Sequence, residues 1–139
     1  MKLTRLLYVS TITEKFKKLA IQDILEHAQQ RNAAEGVSGI LYFNNTHFMQ
    51  CLEGQREVVN RIYNTIVRDD RHSNVVLLDY KPIHSRDFAE WSMAYVPNTT
   101  KTKAITFKYS YMTDFNPYDL HGKNAYLMLL ELRQLVVSA

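Results

Sequence analysis

Two amphipathic helical stretches set among short apolar strands, in the order β-α-β-β-α-β plus one strand, predict an α+β fold. In this order each strand–helix–strand unit pairs its strands in parallel through a right-handed crossover. Two such units interleave as a ferredoxin-like sandwich with both helices on one face of a mixed five-stranded sheet. A third stretch, apolar and helical near the C-terminus, supplies helices for the other face. With 139 residues the chain has room for one domain with a real core.

The first strand is expected over residues 4–10. The first helix, over 19–31, carries Ile21, Ile24, Leu25 and Ala28 at the spacing that buries one stripe. It ends near Asn32, a residue that tolerates a left-handed C-cap, with Gly36 just beyond. A hairpin follows: a strand over 37–43, turn chemistry in Asn44-Asn45-Thr46, and a strand through Met49-Gln50-Cys51-Leu52-Glu53-Gly54. The second helix, 55–68, repeats the buried spacing with Val59, Ile62, Tyr63 and Ile66. A strand over 74–80 leads through Pro82 to a short turn or helix over 85–90. The alternation of Trp91, Met93 and Tyr95 against Ser92 and Ala94 reads as a last strand over 91–96, placing Trp91 and Met93 on one face. Residues 102–109 are β-branched and aromatic, a local preference for strand. The final helix, 123–137, has a stripe of Ala125, Met128, Leu129, Leu132, Leu135 and Val136. With Tyr126, Leu127 and Leu130 it is apolar nearly all round, so it needs the open sheet face, a partner chain or both as cover.

Several function classes drop out early. No apolar run is long enough to span a membrane, and the N-terminus lacks the apolar core of a signal peptide, so a cytoplasmic location is expected. The net charge is +3, but basic residues are scattered among acids, and the densest cluster, Lys15, Lys17 and Lys18, sits beside Glu14. No nucleic-acid partner is expected. Cys51 is the only cysteine and the five histidines lack ligand spacing, so neither a disulfide nor a metal site is expected. There is no phosphate-binding glycine loop among four glycines. Asp69-Asp70 reads as a solvated helix end. An acylphosphatase-like enzyme on this fold would have only Arg5 and Asn32 for its anion site.

Gln50 is the residue that composition does not explain. Along its strand Phe48, Gln50 and Leu52 share one face while Met49 and Cys51 take the other. If that face is core, an unpaired amide costs on the order of 1–3 kcal/mol, so Gln50 needs a partner.

Five separated strings give that amide a context. They are Arg5-Leu6-Leu7-Tyr8-Val9-Ser10; Asn32 with Glu35-Gly36-Val37-Ser38-Gly39-Ile40-Leu41; Phe48-Met49-Gln50-Cys51-Leu52-Glu53-Gly54; Asp69-Asp70-Arg71-His72; and Trp91-Ser92-Met93. In this order and spacing, over about residues 3–97, the chain resembles the BLUF family of blue-light sensors that use FAD. The resemblance implies a photoreceptor whose isoalloxazine ring lies between the two helices, with Ile24 and Ile66 on its faces. It implies that Asn32 bonds the flavin carbonyl edge and that Gln50 lies between Tyr8 and the ring. Asp69, Arg71 and His72 fall beside the ribityl–phosphate chain, and Phe48 and Leu41 are pocket walls. Arg31 departs from the asparagine or histidine expected at its position.

By the same resemblance, excited flavin takes an electron from Tyr8, a proton moves through Gln50, and recombination leaves Gln50 rearranged. Trp91 and Met93 are the implied relay. FAD is the expected cofactor, with FMN or riboflavin as alternatives. Residues 1–97 form the flavin-binding core, and 98–139 a helical extension of the same domain, for which the family favours helix over 102–109. No cyclase, phosphodiesterase or kinase module is expected, so the output would pass to a separate, unidentified protein or through a homo-oligomer. The alternatives are a flavin-free interaction module and the acylphosphatase-like enzyme.

Overall fold

A computed structural model describes residues 2–17, 21–110 and 115–136. The expected helix start at Leu19, Lys18 of the basic cluster and the expected helix end at Val137 lie outside them. In chain order the elements are β1 (Leu3–Ile12), α1 (Glu14–Lys17), α2 (Ile21–Glu35), β2 (Ser38–Phe43), β3 (His47–Gln55) and α3 (Arg56–Arg68). Then come β4 (His72–Ile83), β5 (Ala94–Val96), α4 (Thr100–Ser110) and α5 (Gly122–Leu132), with 3-10 turns at Pro117–Asp119 and Arg133–Leu135.

The sheet order is β4-β1-β3-β2-β5, the ferredoxin-like arrangement with one added edge strand. β1 pairs antiparallel with both β3 and β4, β2 pairs antiparallel with β3, and β2 with β5 is parallel. The strands joined by α2 therefore run parallel without pairing directly, because interleaving inserts β3 between them. That corrects the expectation of a paired strand–helix–strand unit.

Two apolar clusters sandwich the sheet, and strand alternation decides which residue joins which. Leu6, Tyr8, Leu41, Phe48 and Leu52 face Leu25 of α2 and Val59, Ile62 and Ile66 of α3. Leu7, Val9, Ile40, Met49 and Cys51 face Ala125, Met128, Leu129 and Leu132 of α5. The final helix thus covers the open sheet face. Gly39 makes the strand spacing possible: a Cβ there would lie 2.1 Å from the Cys51 carbonyl oxygen.

Local chemistry sets the ends. α2 runs past Asn32 to Glu35, so Asn32 is not its cap. Gly36 takes the left-handed conformation at φ +71°, and the Val37 N–H donates to the Asn32 carbonyl at 2.9 Å, closing a Schellman motif. In the hairpin, Asn45 is left-handed while the Asn44 side-chain oxygen accepts from the Thr46 and His47 N–H groups. α4 forms where local propensity favours strand. Thr99 and Thr102 exchange side-chain-to-backbone hydrogen bonds as a reciprocal N-terminal cap, and Thr102 and Thr106, one turn apart, are buried.

The last strand is shorter than its alternation implied. Residues 84–90 are bends and a turn without a helix, and pairing with β2 begins only at Ala94, opposite Ile40. Trp91 and Met93 consequently do not share a face. Met93 is fully buried with Tyr8 and Leu41, whereas Trp91 packs against the α5 cluster.

Candidate flavin site

α2 stands away from the sheet. Of its 15 residues only Leu25 and Asn32 are fully buried, whereas α3 anchors Val59, Ile62 and Ile66 in 13. Between the two helices and the sheet lies a cavity of about 440 Å³, in the range of small-molecule sites. Its floor is Tyr8, Leu41, Phe48, Gln50 and Met93; its walls include Ile24, Arg31 and Ile66; Asp69, Arg71 and His72 close one end.

At its floor the amide finds the partners that burial demands. Tyr8 and Gln50 sit directly opposite each other on β1 and β3. The Tyr8 hydroxyl donates to Gln50 Oε1 at 2.5 Å, and Gln50 Nε2 donates to Met93 Sδ at 3.3 Å. A thioether is a weak acceptor, so the two ends of the amide are held unequally. Burial holds the Tyr8 phenol well above its ordinary pKa, offset in part by the Arg31 charge. Tyr8 therefore stands as a neutral donor.

The polar end is an ion pair beside a neutral imidazole. Arg71 grips Asp69 through Nε and Nη2, which lowers the carboxyl pKa and raises that of the guanidinium. Asp70 is bonded separately to Lys15 at 2.9 Å, so the adjacent carboxylates do not act together. His72 shares a hydrogen with Ser10 Oγ at 2.9 Å, and burial pushes its pKa down to about 4.

Asn32 does not line the cavity. It is fully buried, with Nδ2 donating to the Ser92 carbonyl at 2.8 Å and Oδ1 accepting from Arg31 Nε at 3.2 Å. Next to it, Gln29 Nε2 donates to the Met93 carbonyl at 3.0 Å. α2 thus grips the segment that carries Met93. Trp91 is likewise outside the cavity, across the sheet edge.

Arg5, the other member of the anion-site pair, is on the α5 face. It donates to Asp79 Oδ2 at 2.9 and 3.0 Å and stacks on Tyr126, so Arg5 and Asn32 are not brought together. Cys51 is fully buried and its thiol pushed up in pKa by burial, the state of a packed thiol. Among the described residues no acid–histidine–cysteine cluster could hold a metal, and no helix is long and apolar enough to cross a membrane.

Sequence reasoning missed Phe16, Leu25, His27, Ala28 and Thr65 as lining residues. For α2 a signal existed: Ile24, His27, Ala28 and Arg31 continue one helical stripe with its polar members included. For Ser10, nothing in the sequence placed it beside His72, because the two are 62 residues apart.

The residues fit a flavin: apolar walls for a ring system, a neutral phenol and amide on the floor, and charge gathered at one end. Comparison with known proteins agrees. The family model described as sensors of blue light using FAD matches residues 3–94. Over 82 residues the chain is 44% identical to the blue light- and temperature-regulated antirepressor BluF of Escherichia coli (strain K12), a match covering 58% of this chain and 20% of that protein. It is 36% identical over 106 residues to the photoactivated adenylate cyclase subunit beta of Euglena longa, covering 76% of this chain and 12% of that one. The chain therefore spans a fifth or less of the length of these two curated relatives. The ground-state structure of BlsA superposes with a TM-score of 0.84 at 37% identity, covering 94% of this chain and 87% of that one. The dark-state structure of the BLUF protein BlrB gives 0.77 at 28% identity, covering 95% of each. This chain belongs to the BLUF family, the sensors of blue light using FAD.

Proposed function

We propose that this protein is a blue-light photoreceptor that holds FAD between α2 and α3 and switches through Tyr8 and Gln50. The observation that carries the reading is the unbroken chain of contacts on the cavity floor, Tyr8 hydroxyl to Gln50 amide to Met93 sulfur. Bound flavin supplies blue-light absorption and a strong excited-state electron acceptor.

Tyr8 is the electron donor, and its phenolic proton leaves along the short bond to Gln50 Oε1. Because one end of the amide donates and the other accepts, rotation or tautomerisation of Gln50 exchanges its partners at both ends. Little opposes the change at the Met93 end, where only an N–H···S contact is given up. Ile24 and Ile66, which line the cavity, would wall the ring, and Asp69, Arg71 and His72 would hold the polar chain of the cofactor. Asn32 would reach a flavin carbonyl by exchanging its bond to Ser92, which ties filling of the pocket to the Met93 segment.

Met93 acts as relay on the cavity side and Trp91, two residues earlier, on the α5 side. The flavin-binding core is residues 1–97, and 98–139 is a helical extension of the same domain that meets a separate cytoplasmic protein or a second copy of this chain. The protein acts as a sensor and not as an enzyme.

The test is the visible spectrum of purified protein in darkness and immediately after blue illumination. Flavin bands that move to the red and recover in the dark are expected. Bound flavin without a shift would overturn the Tyr8–Gln50 switch, and no flavin after reconstitution would overturn the photoreceptor.

A further inference from the structure

Cations at a buried cavity ordinarily have carboxylate partners. Two guanidiniums line this one, Arg31 and Arg71, against the single carboxylate of Asp69. Asp69 is engaged by Arg71. Glu35, one turn along α2 from Arg31, is bonded to Arg61. Arg31 therefore has no ion-pair partner among the described residues, and its one hydrogen bond to a described residue, from Nε to Asn32 Oδ1, leaves both Nη groups open. That bond also fixes the side chain, since Asn32 is fully buried and tied to Ser92. The cavity thus presents a pre-positioned guanidinium fork, and with histidines counted as neutral its lining carries one net positive charge (2 − 1 = +1).

We propose that Arg31 is a specificity-determining residue that selects phosphorylated flavins over riboflavin, taking a phosphate group between itself and Arg71. The inference rests on the proposed flavin site and names the cofactor form that site prefers. A fork with two open Nη groups matches a phosphate bidentately, and a phosphate monoester carries close to two negative charges at neutral pH. Burial lowers the Arg31 pKa, Tyr8 and Glu35 oppose that, and the Arg71 charge lowers it further; an anion between the two guanidiniums would offset both the burial and that repulsion. Neutral riboflavin offers no such compensation and leaves Arg31 unpaired.

The experiment is dark titration of flavin-free protein with riboflavin, FMN and FAD, followed by quenching of flavin fluorescence at low and high salt. FMN and FAD are expected to bind at least about tenfold more tightly than riboflavin at low salt, the scale of a charge-assisted hydrogen bond, with the ratio shrinking as salt rises. Arg31→Asn should remove most of that preference, bringing FMN and FAD towards the affinity of riboflavin. Arg31→Lys, which keeps the charge without the fork, should keep part of it. A wild-type ratio near one, or an unchanged ratio in Arg31→Asn, would overturn the assignment. Should Arg31→Asn lose riboflavin as well, its pocket is damaged. The wild-type salt dependence and Arg31→Lys then decide, a salt-insensitive ratio counting against the proposal. Failure of all three flavins to bind would instead overturn the flavin site itself, so the two failures are distinct.

Discussion

The two faces of this sheet use the same central strands and alternate residues of each, yet they end in different states. On one face the 11-residue α5 sinks Ala125, Met128, Leu129 and Leu132 fully into the core. On the other, the longer α2 sinks only Leu25 and Asn32, and a cavity of about 440 Å³ remains beneath it. Strand alternation delivers apolar residues to both sides, but different polar ones. Leu7, Val9, Met49 and Cys51 go to the filled face, where the buried polar group Arg5 is ion-paired; Leu6, Leu52, Tyr8 and Gln50 go to the open one, where Tyr8 and Gln50 line the cavity. The comparison teaches that a ligand site can be made without disturbing a fold. One face is filled by its helix; on the opposing face α3 packs against the sheet while α2 is held off it over the polar groups of the cavity.

The sharpest way to break this contrast is a pair of truncations. Leu129→Ala, on the filled face, should cost about 3–4 kcal/mol in urea unfolding of the flavin-free protein. Ile24→Ala, on the half-buried cavity wall, should cost about 1 kcal/mol or less and weaken flavin binding instead. Equal losses would show that the cavity face bears as much of the fold as its opposite.

A smaller effect comes from the buried imidazole. The folded-state pKa of His72, about 4, lies below the ordinary 6.5, so between these values the unfolded chain binds more protons. Its contribution is complete above pH 6.5 and is lost as pH falls towards 4, on the order of 2–3 kcal/mol. The melting temperature of wild type should drop across that window, and His72→Phe should flatten the drop. An identical slope in the variant would assign the acid sensitivity elsewhere.

The smallest expected stability change is at Met93. Met93→Leu removes a single N–H···S contact and conserves volume, so it should cost less than about 1 kcal/mol. The light-induced shift should change all the same, because Gln50 loses its second partner. A variant with wild-type shift and recovery would take Met93 out of the relay.

Much of this arrangement could be read from the chain. The period of two along β3 separated Phe48, Gln50 and Leu52 from Met49 and Cys51, and a buried amide demanded the partner it has in Tyr8. The stripes Val59, Ile62 and Ile66 of α3 and Ala125, Met128, Leu129 and Leu132 of α5 were likewise carried by local spacing, although Tyr63 is not fully buried and α5 ends at Leu132, short of Leu135 and Val136. Reading failed where a non-local limit overrode a local pattern. Trp91 alternates as if in a strand, but before Ala94 the segment is tied to β2 by the Gly39 N–H to the Trp91 carbonyl without ladder pairing, so the period is not held there. Residues 102–109 have strand composition, yet the sheet already has its β5 edge, and the Thr99–Thr102 cap starts a helix instead. Asn32 reads as a C-cap from its type alone; Gly36 takes that conformation and frees Asn32 to hold Ser92. The Ser10–His72 bond joins two strands whose register no local pattern encodes.

The measurement that bears most directly on the switch is the light-minus-dark visible spectrum of Tyr8→Phe. The phenylalanine ring fills the same space on β1 and leaves Gln50 without its short hydrogen bond. Flavin should remain bound with its dark bands in place, and blue light should produce no red-shifted state. A normal red shift with normal dark recovery in this variant would contradict the assignment of Tyr8 as the donor.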